Sequence, residues 1–159
     1  MKTQRINSDS IPISKGTYLL FLSNTKSQKI NIGKQGNFLF PSGLLVYVGS
    51  ALGAGGLRGR ISHHLRVNRK CHWHIDYLLQ KMPVYQVLYI ENPSRLEHKW
   101  AMLLERIPKL NIPMKRFGAS DCQCASHLFN IPSKYGGIQI EQKLKEDVLK
   151  EDVMKISIL

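Results

Sequence analysis

The 159-residue chain is defined first by what it lacks. No apolar run approaches the roughly 18 residues that a membrane-spanning helix requires, so no span is expected. The N-terminus has no apolar core of the kind that marks a secretory signal, and the expected setting is a soluble, cytoplasmic one. Cysteine is scarce and odd in number, with Cys71, Cys122 and Cys124 alone, which argues against a disulfide framework and leaves free thiols or metal ligands. Acidic residues are also few, 11 against 23 Lys and Arg, for a formal charge of +12. Five of those acids fall in residues 141–159, so the first 140 residues carry 19 basic and 6 acidic groups, a net +13. Such an excess fits a polyanionic partner, because cationic surfaces gain affinity by releasing phosphate counterions.

The length suits one domain with one core. Gly16 to Leu22 and Leu44 to Gly49 are apolar at consecutive positions, the pattern of strands buried on both faces. Lys29–Gly33 reads as a short partner strand. Short turns between these segments predict antiparallel pairing. A glycine-rich stretch, Gly49-Ser-Ala-Leu-Gly-Ala-Gly-Gly, leads into a helix from near Leu57, with Leu57, Ile61 and Leu65 as its buried stripe. A second helix is predicted over Trp73–Lys81 and a strand over Val84–Ile90. A third helix is predicted over Ser94–Ile107, with Leu96, Trp100, Leu103 and Ile107 facing the core. Residues 108–140 read as irregular. The fold class is α+β, a small central antiparallel sheet of about three strands flanked by helices. Residues 1–140 form the domain. Residues 141–159, which repeat Leu-Lys-Glu-Asp-Val from Leu144 and again from Leu149, read as a charged helical or frayed tail.

Several residues carry candidate chemistry. Tyr18 and Tyr47 open onto one sheet surface if their strands pair, although both also read as core aromatics with hydrogen-bonded hydroxyls. Arg60 and His64, four residues apart, flank the buried stripe of their helix at about 100° and about 60° from its centre, and equally suit a solvated basic face. Glu97 fits a capping box with Ser94, which alone would explain it. Cys71-His-Trp-His74 and Cys122-Gln-Cys-Ala-Ser-His127 offer sulfur and imidazole ligands for a structural Zn²⁺, against buried thiols and hydrogen-bonding histidines.

The order of these residues is more specific than any one of them. Gly16-Thr-Tyr18, then Tyr47-Val-Gly49, then Arg60 and His64 on a helix, then Glu97 on a later helix resembles the GIY-YIG nuclease superfamily. The segments Tyr47-Val-Gly-Ser-Ala, His72-Trp-His-Ile-Asp-Tyr-Leu and Phe117-Gly-Ala-Ser-Asp-Cys-Gln-Cys-Ala-Ser-His-Leu look like those of a small uncharacterised branch, sometimes fused to endonuclease III-type DNA glycosylases. The resemblance covers roughly residues 14–132. It implies metal-dependent cleavage of phosphodiester bonds in nucleic acid, DNA in particular, in processing or repair. It implies that Tyr18 acts as base or positions water, Tyr47 orients the site, Arg60 binds a phosphate oxygen with Arg58 as its rival, His64 assists the tyrosine, and Glu97 holds one Mg²⁺ or Mn²⁺. Gly49, Ser50, Arg58, His72 and His74 are expected to contact substrate, and Asn111 is the best-spaced match to a family asparagine. The alternatives are a non-catalytic nucleic-acid-binding module on the same fold, and a zinc-stabilised interaction domain.

Overall fold

The computed structural model describes residues 8–132, positions 142, 143 and 146, and the strand Met154–Ser157. Its main sheet is built on β1 (Gly16–Asn24), which pairs antiparallel with β4 (Gly43–Ala51) on one side and with β5 (Val84–Glu91) on the other. β2 (Gln28–Asn31) and β3 (Asn37–Phe40) pair with each other as a separate ribbon, so the short strand expected near Lys29–Gly33 is not a member of the main sheet. β6 (Leu128–Ile131) and β7 (Met154–Ser157) occupy the two edges, giving the order β6-β4-β1-β5-β7. The fold is α+β as expected, with five strands in the main sheet rather than about three.

Every residue of β1 from Gly16 to Leu22 is buried because helices cover both faces. Tyr18, Leu20 and Leu22 face one core, closed by Leu57 and Ile61 of α1 (Gly56–Leu65) and by Ile75 and Leu78 of α2 (His74–Leu79). Leu19 and Phe21 face the other, closed by Trp100, Ala101 and Leu104 of α3 (Glu97–Glu105). Trp100 is 1% exposed, and truncating so large a buried side chain to Ala costs about 3–5 kcal/mol.

α3 departs from expectation. The residue flanking its start is Leu96 and no side chain caps it, so Ser94 and Glu97 do not form a capping box. The Ser94 amide instead donates to Asn92 Oδ1 at 2.8 Å, a local turn that delays the helix by three residues. The buried face runs through Trp100, Ala101 and Leu104, with Leu103 only half-buried. In the region expected to be irregular, Asn111 forms a backbone bridge to Asn130, extending β6. Most of the repeated tail lies outside the described residues. Gln142, Lys143 and Glu146 are helical, whereas Met154–Ser157 corrects the helical or frayed expectation by pairing as a strand along β5.

Candidate active site

The β1–β4 register decides how the two tyrosines meet. Leu20 stands opposite Tyr47, so Tyr47 and Tyr18 project from the same face, one pleat apart. Gly49 stands opposite Tyr18, and a Cβ there would collide with the Tyr18 phenol. The glycine therefore makes room for the phenol ring and does not line the site itself. Both rings border a cleft of about 420 Å³. Tyr18 is 1% exposed at its floor and Tyr47 is 7% exposed.

α1 brings the next two residues. Arg60 reaches the cleft with its guanidinium stacked 4.1 Å above the Trp73 ring. Such stacking holds the planar head in place while leaving its N–H groups for a ligand. His64 is buried behind the cleft and meets the Tyr18 hydroxyl through Nε2 at 2.7 Å. Its Nδ1 faces Asp76 Oδ1 at 3.6 Å, which favours the proton on Nδ1 and leaves Nε2 as acceptor for the phenol. Burial lowers the His64 pKa from its usual value, against the opposing effect of Asp76.

Asp76 is fully buried on α2. Its Oδ2 accepts the backbone amides of His72 at 2.8 Å and Trp73 at 2.9 Å. His63 Nε2 lies 3.3 Å and Arg69 Nε 4.0 Å from its Oδ1. Burial alone would raise this carboxyl, but His64 and the two amides overturn that and hold it well below the usual carboxylate range. Burial raises the Tyr18 phenol well above its ordinary value, with Tyr47 adding to the shift and Arg60 opposing it. Burial also raises the Tyr47 phenol, with Glu97 adding and Arg60 opposing.

Glu97, at the first position of α3, turns its carboxylate to the same cleft, with Arg95 Nη1 at 3.6 Å and His98 Nε2 at 3.5 Å. Gly118, Ser120 and Asp121 supply another wall. Gly118 has a left-handed φ of 65°, and a Cβ there would approach Tyr47 Cε2 to 3.1 Å. Ser50, His72 and His74 line the cleft as expected, and His74 Nδ1 accepts the Gly118 amide at 3.1 Å.

Arg58 does not reach the cleft. Its guanidinium donates to the Ile11 and Asp9 carbonyls at 2.7 and 3.0 Å, tying α1 to the N-terminal segment. Of the two arginines, Arg60 is the one that lines the cleft, because Arg58 is held by that segment. Asn111 is likewise engaged through its backbone with Asn130 and is absent from the lining. Sequence reasoning missed Asp76, Trp73, Arg95 and Asp121. Asp76 and Trp73 stand inside the His72-Trp-His-Ile-Asp segment singled out above, which was their available signal.

The four-ligand zinc arrangement built on Cys71 does not form. Cys71 lies beside Gln80 Nε2 at 3.1 Å and joins no ligand cluster among the described residues. For a hard divalent ion, Glu97 and Asp121 give the cleft two carboxylates, the donor type that Mg²⁺ and Mn²⁺ prefer. In donor type, these two carboxylates would suit such an ion.

The fold and cleft define an α+β domain with a polar site of tyrosines, arginine, buried histidine and carboxylates beside its central strands. The chain belongs to the family described as domain of unknown function DUF123, whose model matches residues 17–149. No curated protein and no solved structure matches it. Among the described residues no helix is long and apolar enough to cross a membrane.

Proposed function

We propose that the chain is a metal-dependent phosphodiester hydrolase of the GIY-YIG type, acting on nucleic acid and on DNA in particular. The observation that carries this reading is the convergence of Tyr18, Tyr47, Arg60 and Glu97 on one cleft, with His64 hydrogen-bonded behind Tyr18. These groups match what hydrolysis requires, namely a proton acceptor for water, a fixed cation for the phosphate and a carboxylate for a divalent ion.

In this mechanism a water over Tyr18 gives its proton to the phenol oxygen as the phenol proton passes to His64 Nε2. The transfer is concerted, because burial makes a free Tyr18 phenolate costly. Neutral His64 is the acceptor, and Asp76 faces the imidazolium that results. Arg60 binds a non-bridging phosphate oxygen, and Tyr47 orients the attacked group. Glu97, with Asp121 nearby, would hold a Mg²⁺ or Mn²⁺ that supplies Lewis-acid polarisation of the phosphate. Water attack breaks one P–O bond, and the proton held on His64 returns through the Tyr18 hydroxyl to the leaving oxygen.

The test is incubation of the purified protein with branched, single-stranded and duplex DNA in Mg²⁺ or Mn²⁺. Cutting is expected, and it is expected to disappear in Glu97→Ala and Arg60→Ala. Absence of cutting, or undiminished cutting by both variants, sinks the reading. Salt-sensitive binding without cleavage would identify a non-catalytic binding module instead.

A further inference from the structure

Three residues outside the proposed proton path form a second cluster. His98 is the second residue of α3, Cys122 lies in the segment before β6, and His127 immediately precedes β6. One ligand atom from each lies within 4.8 Å of the other two. Cys122 Sγ and His127 Nε2 are 3.4 Å apart, and the His98 and His127 rings are 5.8 Å apart.

We propose that His98, Cys122 and His127 bind a zinc-class divalent ion. The donor chemistry selects it, since one thiolate and two imidazoles suit borderline-soft Zn²⁺ and disfavour Mg²⁺ and Ca²⁺. The spacing agrees. A sulfur and a nitrogen on one tetrahedral zinc, at bond lengths of roughly 2.3 and 2.0–2.1 Å, are separated by roughly 3.5 Å. His98 Nε2 supplies an independent observation. It is shielded from solvent and makes no hydrogen bond, with the Glu97 carboxylate 3.5 Å away. His127 is 2% exposed, so the site is not a chance surface grouping. Cys124 is the adjacent thiol, and burial first and Cys122 second push it up to about 11.

The ion links two walls of the cleft. His98 follows Glu97 on α3, while Cys122 follows Ser120 and Asp121 on the opposing segment. Zinc between them holds the Glu97 carboxylate and the Asp121 segment in fixed relation. The ligand set is independent of the hydrolase reading, and its test does not use cleavage.

The full-length protein is purified under reducing, chelator-free conditions, and bound zinc is measured by elemental analysis. Zn²⁺ uptake is then followed in competition with a chromophoric chelator. One equivalent is expected in the parent and in Cys71→Ser, with stoichiometric uptake lost in His98→Ala and Cys122→Ser. Co²⁺ in place of zinc should give a thiolate charge-transfer band that Cys122→Ser abolishes. Circular dichroism of the half-exposed His98→Ala variant separates loss of the ion from loss of the fold. No stoichiometric uptake by the parent, undiminished uptake by folded His98→Ala, or loss of uptake in Cys71→Ser overturns the assignment.

Discussion

The Tyr18 hydroxyl and His64 Nε2 stand 2.7 Å apart, both closed off from bulk solvent, although 46 residues separate them in the chain. A buried phenol and imidazole sharing one hydrogen bond are mutually dependent, since removing either leaves the other without its partner.

Tyr18→Phe is therefore expected to lower cleavage by about 10²–10⁴-fold, the range for loss of a general acid–base group. It also leaves His64 Nε2 unpaired, at about 1–3 kcal/mol. Cleavage rates and thermal unfolding measured on the same preparation check the two effects. Full activity in the variant excludes Tyr18 from proton transfer.

The proton acceptor sets the pH dependence. His64 accepts only when neutral, and burial lowers its pKa from 6.5. The acid limb of the rate profile should thus fall below the ordinary histidine range. Stability runs in the same direction. With its folded pKa depressed, His64 contributes fully above about 6.5 and loses that contribution as pH falls through its folded value. Asp76, depressed from 3.8, adds a second loss at still lower pH. His74 and His127, also lowered by burial, reinforce the first. Denaturant midpoints across the acid range check this, and stability rising on acidification through the histidine range would contradict it.

Arg60 and Arg58 sit two residues apart with different surroundings. Arg60→Ala should weaken DNA binding and reduce the salt-dependence slope by about 1, the signature of one lost phosphate contact. Arg58→Ala should leave that slope unchanged and lower the melting temperature, because its partners are the Ile11 and Asp9 carbonyls. Binding isotherms at several salt concentrations distinguish the two.

Gly49→Ala places a methyl against the Tyr18 phenol. Overpacking of this kind costs about 1–3 kcal/mol, or about 2–4 °C per kcal/mol in a domain of this size. The variant should lose activity as well as stability, since the displaced ring is the one bonded to His64. A calorimetric scan showing no change would mean that β4 yields without cost.

Much of the fold was legible because β1 and β4 are apolar at consecutive positions, a pattern that only two covered faces explain. α1 was legible from its four-residue stripe, and with it Arg60 and His64. The start of α3 was misread because Ser94-x-x-Glu97 imitates a cap, while Asn92 supplies the competing turn two residues earlier. β6 was missed because Leu128-Phe-Asn-Ile is short, and its role comes from pairing with a strand more than 80 residues away. Asp76 carried no periodic signal. Its Oδ2 caps the start of its own helix, and its Oδ1 meets imidazoles that only the packing of α2 against α1 brings to it.

The placement of Met154–Ser157 along β5 bears on how the molecule keeps apart from its own copies. Without it, Val87, Leu88 and Tyr89 would present open hydrogen-bonding groups on a strand edge ready to recruit a second sheet. Truncation after residue 140 removes this cover along with the acidic repeats, leaving a chain of net charge +13 with a sticky border. Light scattering of the truncated and intact proteins should show self-association in the first alone.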